Sequence, residues 1–273
     1  MALVNHHVHS TVSDGHLAPK DVVEEGLAAG LTHLCFVEHH PLPESVRDWS
    51  RFYTESHYLE LKDIKKDYFD RISVSIGVEM DWLKDYSDFT RSQIDKRDYD
   101  FVMGSIHFMR LKNEPSYLRV HYKCDDALSV LESYGGVEGV VSEYYEQVRL
   151  LSESGLFDCV GHLDRIKHVF GEMFTGNEPW YLKQIDDTLD VIEDVGICVE
   201  LNTSGFDHPC KETYPSTDIF EKIRSRDIPI TIWSDGHISP VNKGLAEGYQ
   251  ILKNLEYGAV NVFEGRKRKE VNI

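Results

Sequence analysis

The sequence predicts a single α/β barrel of seven mainly parallel strands, and three features predict it. Seven short apolar runs, beginning at Val4, Leu31, Ile72, Tyr99, Phe157, Ile197 and Ile228, alternate with segments of helical periodicity. That alternation implies a mainly parallel sheet. Each run ends in or leads into a polar, ligand-type residue: His7 and His9, His39, Glu79, His107, His162, Glu200 and Asn202, and Asp235. A barrel brings the C-terminal ends of all its strands to one mouth, whereas an open doubly wound sheet concentrates its ligands at one switch point. Finally, no repeat or low-complexity linker interrupts the 273 residues, so 1–273 reads as one domain of ordinary size for such a barrel.

The elements follow in order. After the first strand, Ser13-Asp14-Gly15 signals a turn, and Pro19 suits a first helical position. Val22, Val23 and Leu27 supply an apolar stripe there, and Gly30 suits the C-terminal cap. The second run ends in Glu38-His39-His40-Pro41, where Pro41 and Pro43 forbid an immediate helix. The charged and aromatic stretch 44–70 reads as a long loop plus crossover helix, and the Tyr and Trp residues of the aromatic segment 47–86 suit core or a lid. Segment 115–125 reads as a loop, and 126–134 and 139–154 as helices, the latter closed by Gly155. Glu178-Pro179 opens a helix with Leu182, Ile185, Leu189 and Ile192 at helical spacing, and Gly196 ends it. Helices at 216–226 and 241–255 flank the last barrel strand. An extended run at 259–263 follows, and the basic tail 266–269 reads as a solvated end.

Composition narrows the function. A hydrophobic fraction of 41% excludes a disordered chain, and a core of this size needs no disulfides. A formal charge of −18 argues against a duplex nucleic-acid binder, which needs a basic surface. It leaves an anionic substrate open, since bound cations reverse the local field. Cys35, Cys124, Cys159, Cys198 and Cys210 are scattered and odd in number, as expected for small buried hydrophobes in a reducing compartment. With no signal peptide and no run long and apolar enough to span a bilayer, a cytoplasmic protein with no membrane partner is expected. The sequence sets no oligomeric state.

The chemistry begins at Val-Asn-His-His-Val-His-Ser, residues 4–10. On a strand His7 and His9 face the same way, about 6.6 Å apart along the chain, so both can close on one metal ion. Alone the pair is a weak signal. Together with Asp14, His39, Glu79, His107, His162, Asp235 and His237 it is strong. Gathering such groups without a cation would leave carboxylates and imidazoles unpaired at several kcal/mol each. Imidazole and carboxylate donors suit Zn, Fe or Mn.

These residues also carry a resemblance that covers nearly the whole chain. Asn5-His6-His7-Val8-His9-Ser10 with Ser13-Asp14-Gly15 is similar to the first motif of the polymerase-and-histidinol-phosphatase (PHP) superfamily. Glu38-His39, Gly77-Val78-Glu79, Gly104-Ser105-Ile106-His107, Gly161-His162 and Ser234-Asp235-Gly236-His237 resemble its later motifs, in order. The resemblance implies a distorted (β/α)7 barrel with two or three divalent metal ions at its mouth. It assigns His7, His9, Glu79 and Asp235 to one ion. Glu79 bridges to a second with His107 and His162, and Asp14, His39 and His237 take the third. Further stretches resemble the PHP-type histidinol-phosphate phosphatases: residues 38–43, Gly77 to Trp82, Ser105 to Phe108, the helix start from Gly136 to Tyr145, Glu200 to Gly205, and Tyr214-Pro215-Ser216. The chain departs from their pattern at His40, at Gly236, and at Phe206-Asp207-His208, which replaces a more basic stretch.

The expected activity is metal-dependent hydrolysis of a small phosphomonoester, L-histidinol phosphate in histidine biosynthesis. Closely spaced divalent ions acidify water and neutralise phosphoryl oxygens, so no serine nucleophile is needed, and the sequence has no nucleophile elbow, phosphate loop or Rossmann fingerprint. Lys167 and Arg165, just after His162, are the candidate cations for the phosphoryl group, with Lys167 matching a Lys or Arg of the phosphatases. Glu38, Asp81 and Asn202 suit either the substrate's ammonium and imidazole or the orientation of a ligating histidine. The alternatives are a PHP phosphoesterase acting on nucleotides or another phosphoester, a metal-holding regulatory module, and a zinc amidohydrolase.

Overall fold

The computed structural model describes residues 2–46, 53–120 and 125–273. Seven parallel strands form one sheet in simple sequential order: β1 (Val4–Val8), β2 (His33–His39), β3 (Ser73–Asp81), β4 (Phe101–Ser105), β7 (Cys159–Val160), β8 (Cys198–Asn202) and β9 (Ile230–Trp233). Between β4 and β7 an antiparallel hairpin, β5 (Phe108–Arg110) and β6 (Tyr117–Arg119), projects from the mouth. The sequence reading places a loop at 115–125 and misses this hairpin, whose strands are three residues each. Residues 121–124 of that stretch, Cys124 among them, lie outside the described residues, as do Trp49 and Phe52 of the aromatic segment. Tyr53, Tyr58, Tyr68 and Trp82 of that segment are core.

Helices α1 (Pro19–Ala28), α2 (Glu55–Asp67), α3 (Ser87–Ile94), α4 (Asp125–Ser133), α5 (Val137–Glu153), α6 (Ile166–Phe170), α7 (Pro179–Val195), α8 (Thr217–Ser225) and α9 (Leu245–Asn254) complete the chain order. Pro19 and Pro179 sit at the first turns of α1 and α7, and Gly196 takes the left-handed conformation (φ 72°) that stops α7. The apolar stripes expected from the sequence are buried: Val22 and Val23 on α1, and Ile185, Leu189 and Ile192 on α7. They pack on the outward-facing residues of the sheet, such as Leu34, Phe36, Val102, Val199 and Ile232. The shorter α3 and α6 lack a long periodic stretch and escape the sequence reading. None of the helices among the described residues is long and apolar enough to cross a membrane.

The sheet closes unevenly. At the mouth β1 and β9 meet: His9 N–H donates to Gly236 O (3.0 Å) and Asp235 N–H to His7 O (3.1 Å). Below, Asn5 spans the seam, its amide donating to Ser234 Oγ (2.8 Å) and Val241 O (2.9 Å). The Tyr249 hydroxyl of α9 serves Val4, accepting from its N–H at 2.6 Å and donating to its carbonyl at 3.2 Å. Backbone groups that a regular eighth strand would have paired are thus paired by side chains.

The lumen is filled from below. Cys35, Val37, Phe101, Met103, Cys159, Cys198 and Trp233 form its core with Phe263. Phe263 belongs to a C-terminal hairpin, β10 (Ala259–Glu264) and β11 (Lys267–Asn272), turning at Gly265 and Arg266, both at positive φ. The basic tail is therefore a strand, paired with β10 along one edge, whose side chains face water. Arg266 is no surface charge: it grips both Asp158 oxygens at 2.9–3.1 Å and donates to Leu156 O. Of the described cysteines, Cys35, Cys159 and Cys198 are buried and Cys210 is half-buried, all as free thiols.

Candidate metal centre

β1 carries the floor of the mouth. Its pairing with β2 slips by one residue between Asn5 and Val8, a bulge that lets neighbouring residues share a face. His6 and His7 both point into the lumen in consequence. His6 packs against Phe101, Trp233 and Phe263 and accepts from Phe263 N–H (3.2 Å). Burial pushes its imidazole down to about 3, so it stays neutral. His7 and His9 are fully buried and bring their Nε2 atoms within 2.7 Å of each other.

Around those two nitrogens stand Asp235 Oδ1, 3.6 and 3.3 Å away, and Glu79 Oε2, 3.9 and 3.8 Å away. Ligands about 2.1 Å from a tetrahedral zinc ion stand roughly 3.4 Å from one another, so the four donors fit one ion. Glu79 Oε2 is buried and lies 2.8 Å from His39 Nδ1, but makes no well-aligned hydrogen bond, which is costly in the absence of a cation. The other Glu79 oxygen faces His162 Nε2 at 3.2 Å and His107 Nε2 at 3.7 Å, a second donor set. A third comprises Asp14, His39 and His237: Asp14 lies 3.5 Å from His39 Nε2 and 3.3 Å from His237 Nε2. His9 Nδ1 also approaches Asp14, at 3.6 Å, so His9 touches two sets where the sequence reading gives it one. The donor atoms of His7, His9 and Glu79, those of Glu79, His107 and His162, and those of His9, Asp14, His39 and His237 each lie within 4.8 Å of one another. The structure thus brings together every ligand-type residue picked from the sequence.

Backbone geometry holds them there. His162 (φ 25°) and Asp235 (φ 53°) occupy the left-handed region, which costs a non-glycine residue energy and is tolerated where surroundings enforce it. The Ser13-Asp14-Gly15 turn folds against the end of β1, and a Cβ on Gly15 would stand 2.6 Å from the His9 carbonyl. Only glycine lets Asp14 come over the imidazoles.

Protonation suits metal. Burial keeps His7 and His9 low and takes His107 to about 4, leaving neutral donors. Burial alone would raise Glu79, but His39 and His107 outweigh it and hold the carboxylate ionised. Asp235 and Asp14 are likewise held down by neighbouring histidines against their own burial. His237 is the exception. Burial would lower it, yet its hydrogen bond to Asp14 and the Asp235 charge raise it to about 10. A ligand nitrogen must shed its proton, so zinc uptake at this set should release about one proton per chain near pH 8. Below pH 10 the proton competes, so affinity there should rise with pH, up to about tenfold per unit. Calorimetry in two buffers of different ionisation enthalpy measures the release. Equal heats for wild type and His237→Asn would contradict it.

The residues around the donors are orienting groups. Asp81 Oδ1 accepts from His107 Nδ1 (2.9 Å) and from His107 N–H (3.2 Å), fixing which nitrogen faces Glu79. Asn202 donates to Glu200 (3.0 Å) and Asp235 (3.2 Å), and Ser204 caps it. Glu38 is fully buried and receives Ser10 N–H (3.1 Å) and both the Ser10 and Ser13 hydroxyls, bracing the Asp14 turn. None of the three lines the open cavity. Glu200, absent from the sequence-based site set, contacts His7 Nδ1 (3.5 Å) and the His162 N–H. Burial raises its carboxyl to about 8, with His162 pulling the other way.

Above the donors opens a cavity of about 700 Å³, lined by Asp14, His39, Glu79, His107, His162, Asp235 and His237 together with Arg119, Arg165 and His208. Lys167 is not among its lining. Its ammonium is buried between Asp164 (2.8 Å), Glu212 (2.9 Å) and Thr213 O (2.8 Å), facing a separate cavity. The sequence reading that prefers Lys167 to Arg165 for the phosphoryl group is therefore corrected. Arg165 sits at the start of α6, half-buried, and its guanidinium forms no salt bridge or hydrogen bond with another described residue. Arg119, at the end of β6, is a cavity cation that no sequence motif marks.

A seven-stranded parallel barrel with three adjoining His/Asp/Glu donor sets at its C-terminal mouth defines the class: a barrel built to hold several metal ions. The comparisons then place it. The PHP domain model matches residues 5–204, and the chain belongs to that family. It is 28% identical over 242 residues to a probable histidinol-phosphatase of Deinococcus radiodurans, covering 86% of each chain. It is 25% identical over 238 residues to the histidinol-phosphatase of Bacillus subtilis, covering 80% of this chain and 86% of that protein. The crystal structure of the Lactococcus lactis histidinol phosphate phosphatase, complexed with zinc, L-histidinol and phosphate, superposes with a TM-score of 0.78. That match has 21% identity and covers 97% of this chain and 98% of that one.

Proposed function

We propose that this chain, acting as one domain over 1–273, is a metal-dependent phosphomonoesterase whose substrate is L-histidinol phosphate. The observation that carries the reading is the convergence of nine donor side chains, Glu79 among them, beneath a cavity that also holds Arg165. We assign His7, His9, Glu79 and Asp235 to one divalent ion, Glu79, His107 and His162 to a second, and Asp14, His39 and His237 to a third. Bound there, zinc, iron or manganese supplies Lewis-acid polarisation of phosphoryl oxygens and acidifies water. The chain's own contribution is placement. Asp81, Glu200 and Asn202 orient the ligands from behind, and Glu38 braces the Asp14 turn. Arg165 offers a planar, permanently charged fork to phosphoryl oxygens outside the donor sets.

The named relatives support histidinol phosphate over other esters, and a 700 Å³ cavity accommodates a molecule of that size. The test is phosphate release by metal-loaded protein from a panel of histidinol phosphate, nucleoside monophosphates and phosphodiesters. Histidinol phosphate should lead the panel by kcat/KM. Efficient turnover of nucleotides or diesters with poor turnover of histidinol phosphate would overturn the substrate and leave the metal assignment standing.

A further inference from the structure

Resting on the phosphomonoesterase reading, we propose that His208 is a further substrate-contacting residue whose Nε2–H donates to a phosphoryl oxygen beside Arg165. Its tautomer is set from behind by Tyr214. His208 follows the short helical turn 204–207, with its N–H bonded to Gly205 O (3.0 Å), and its ring lines the metal cavity together with Arg165. The opposite ring atom is occupied. His208 Nδ1 lies 3.0 Å from the Tyr214 hydroxyl, and the Cys210 thiol donates to that same oxygen at 3.4 Å.

This chain of bonds is assigned the direction that leaves Nε2 carrying the proton. Tyr214 is buried, and burial, then the Cys210 contact, raises its phenol, so the hydroxyl keeps its proton. The Cys210 thiol also reaches Gly205 O (3.5 Å) and Glu212 O (3.9 Å), and in the proposed arrangement the Tyr214 proton goes to His208 Nδ1. An imidazole that accepts at Nδ1 and is neutral carries its proton on Nε2. Burial first and the Arg165 charge next lower His208 to about 4, so it is neutral near pH 7. A neutral donor next to a guanidinium adds a bond to the phosphoryl group without charge repulsion.

The arrangement also explains where Lys167 acts. Its ammonium holds Thr213 O and lies 5.0 Å from the centre of the Tyr214 ring, while Asp164 accepts from Ser216 N–H at 3.0 Å. Lys167 is thus a positioning residue for the loop that carries Tyr214. His168 of α6 packs its ring 4.3 Å from that of His208 and fixes the imidazole laterally.

The experiment uses the zinc-loaded enzyme, inorganic phosphate as competitive inhibitor, and two substrates, histidinol phosphate and p-nitrophenyl phosphate. Losing one neutral hydrogen bond weakens binding up to about tenfold, so His208→Ala should raise the phosphate inhibition constant by roughly that factor. It should lower kcat/KM for both esters alike. His208→Gln, which keeps an N–H donor at similar reach, should recover most of the loss. Nitrogen NMR of the histidines should show the Nε2–H form at His208, and Tyr214→Phe should shift it toward a mixture. An unchanged inhibition constant in His208→Ala at full metal content overturns the proposal, as does an Nδ1–H tautomer. A loss confined to histidinol phosphate also overturns it, because His208 would then contact the leaving group. Wild-type enzyme that binds phosphate but hydrolyses neither ester removes instead the phosphomonoesterase reading on which the proposal rests.

Discussion

Glu79→Ala should strip the protein of more than one metal equivalent and lower kcat/KM for its phosphomonoester by at least about a thousandfold. Among the described residues, Glu79 is the side chain that touches all three donor sets. Its Oε2 stands 2.8 Å from His39 Nδ1 and 3.8–3.9 Å from His9 and His7, while its Oε1 stands 3.2 and 3.7 Å from His162 and His107. Under the proposed assignment, removing the carboxylate would withdraw an anionic donor from two adjoining metal sites at once. Lewis-acid stabilisation of the transition state is worth several kcal/mol, and each 1.4 kcal/mol is tenfold, so about 4 kcal/mol accounts for the thousandfold loss. Glu79→Gln keeps the shape but trades the charge and one acceptor for an amide N–H₂ aimed at imidazoles, so it should fare little better. Elemental analysis and steady-state kinetics on the same preparation check both variants. Full metal content with near-normal turnover in Glu79→Ala would sink the bridging role.

Arg165→Ala and Lys167→Ala should fail in opposite ways. Arg165 lines the cavity and its guanidinium bonds to no other described residue, so its loss should leave folding and metal content intact. A charge-assisted bond to a phosphoryl oxygen is worth about 1.5–3 kcal/mol, a ten- to hundredfold fall in kcat/KM. Lys167 instead neutralises Asp164, a carboxylate buried to zero exposure, and is itself 8% exposed. Breaking a buried pair from one side costs about 3–5 kcal/mol, read as a drop of roughly 10 °C in Tm. Burial already pushes Asp164 up, so the orphaned carboxyl will take a proton, which favours the lower end. Thermal melts and kinetics on both variants separate the roles. A stable Lys167→Ala with a selective loss of phosphate affinity would restore the phosphate-clamp role to Lys167.

Much of this protein was legible before any coordinates. Alternating apolar runs and amphipathic helices specify a parallel sheet because strands of period two and helices of period 3.6 bury different residue patterns. Chain order alone places His39, Glu79, His107, His162 and Asp235 at strand ends, and a barrel then has to bring those ends together. Packing decided the rest. His6 faces the lumen beside His7 because β1 carries a bulge, which strict alternation cannot anticipate. Glu38, Asp81 and Asn202 suited substrate or ligand support equally well by type, and only their buried contacts with Ser10, His107 and Asp235 separate the two. Arg165 and Lys167 lie two residues apart, and their order reveals nothing about which one meets the cavity. That choice is made where the chain turns from β7 into α6, past the left-handed His162: Arg165 precedes the helix and lines the mouth. Lys167 is left facing Asp164 and Glu212, carboxylates fixed in place by the fold, and a buried ammonium must stay with the charges that neutralise it.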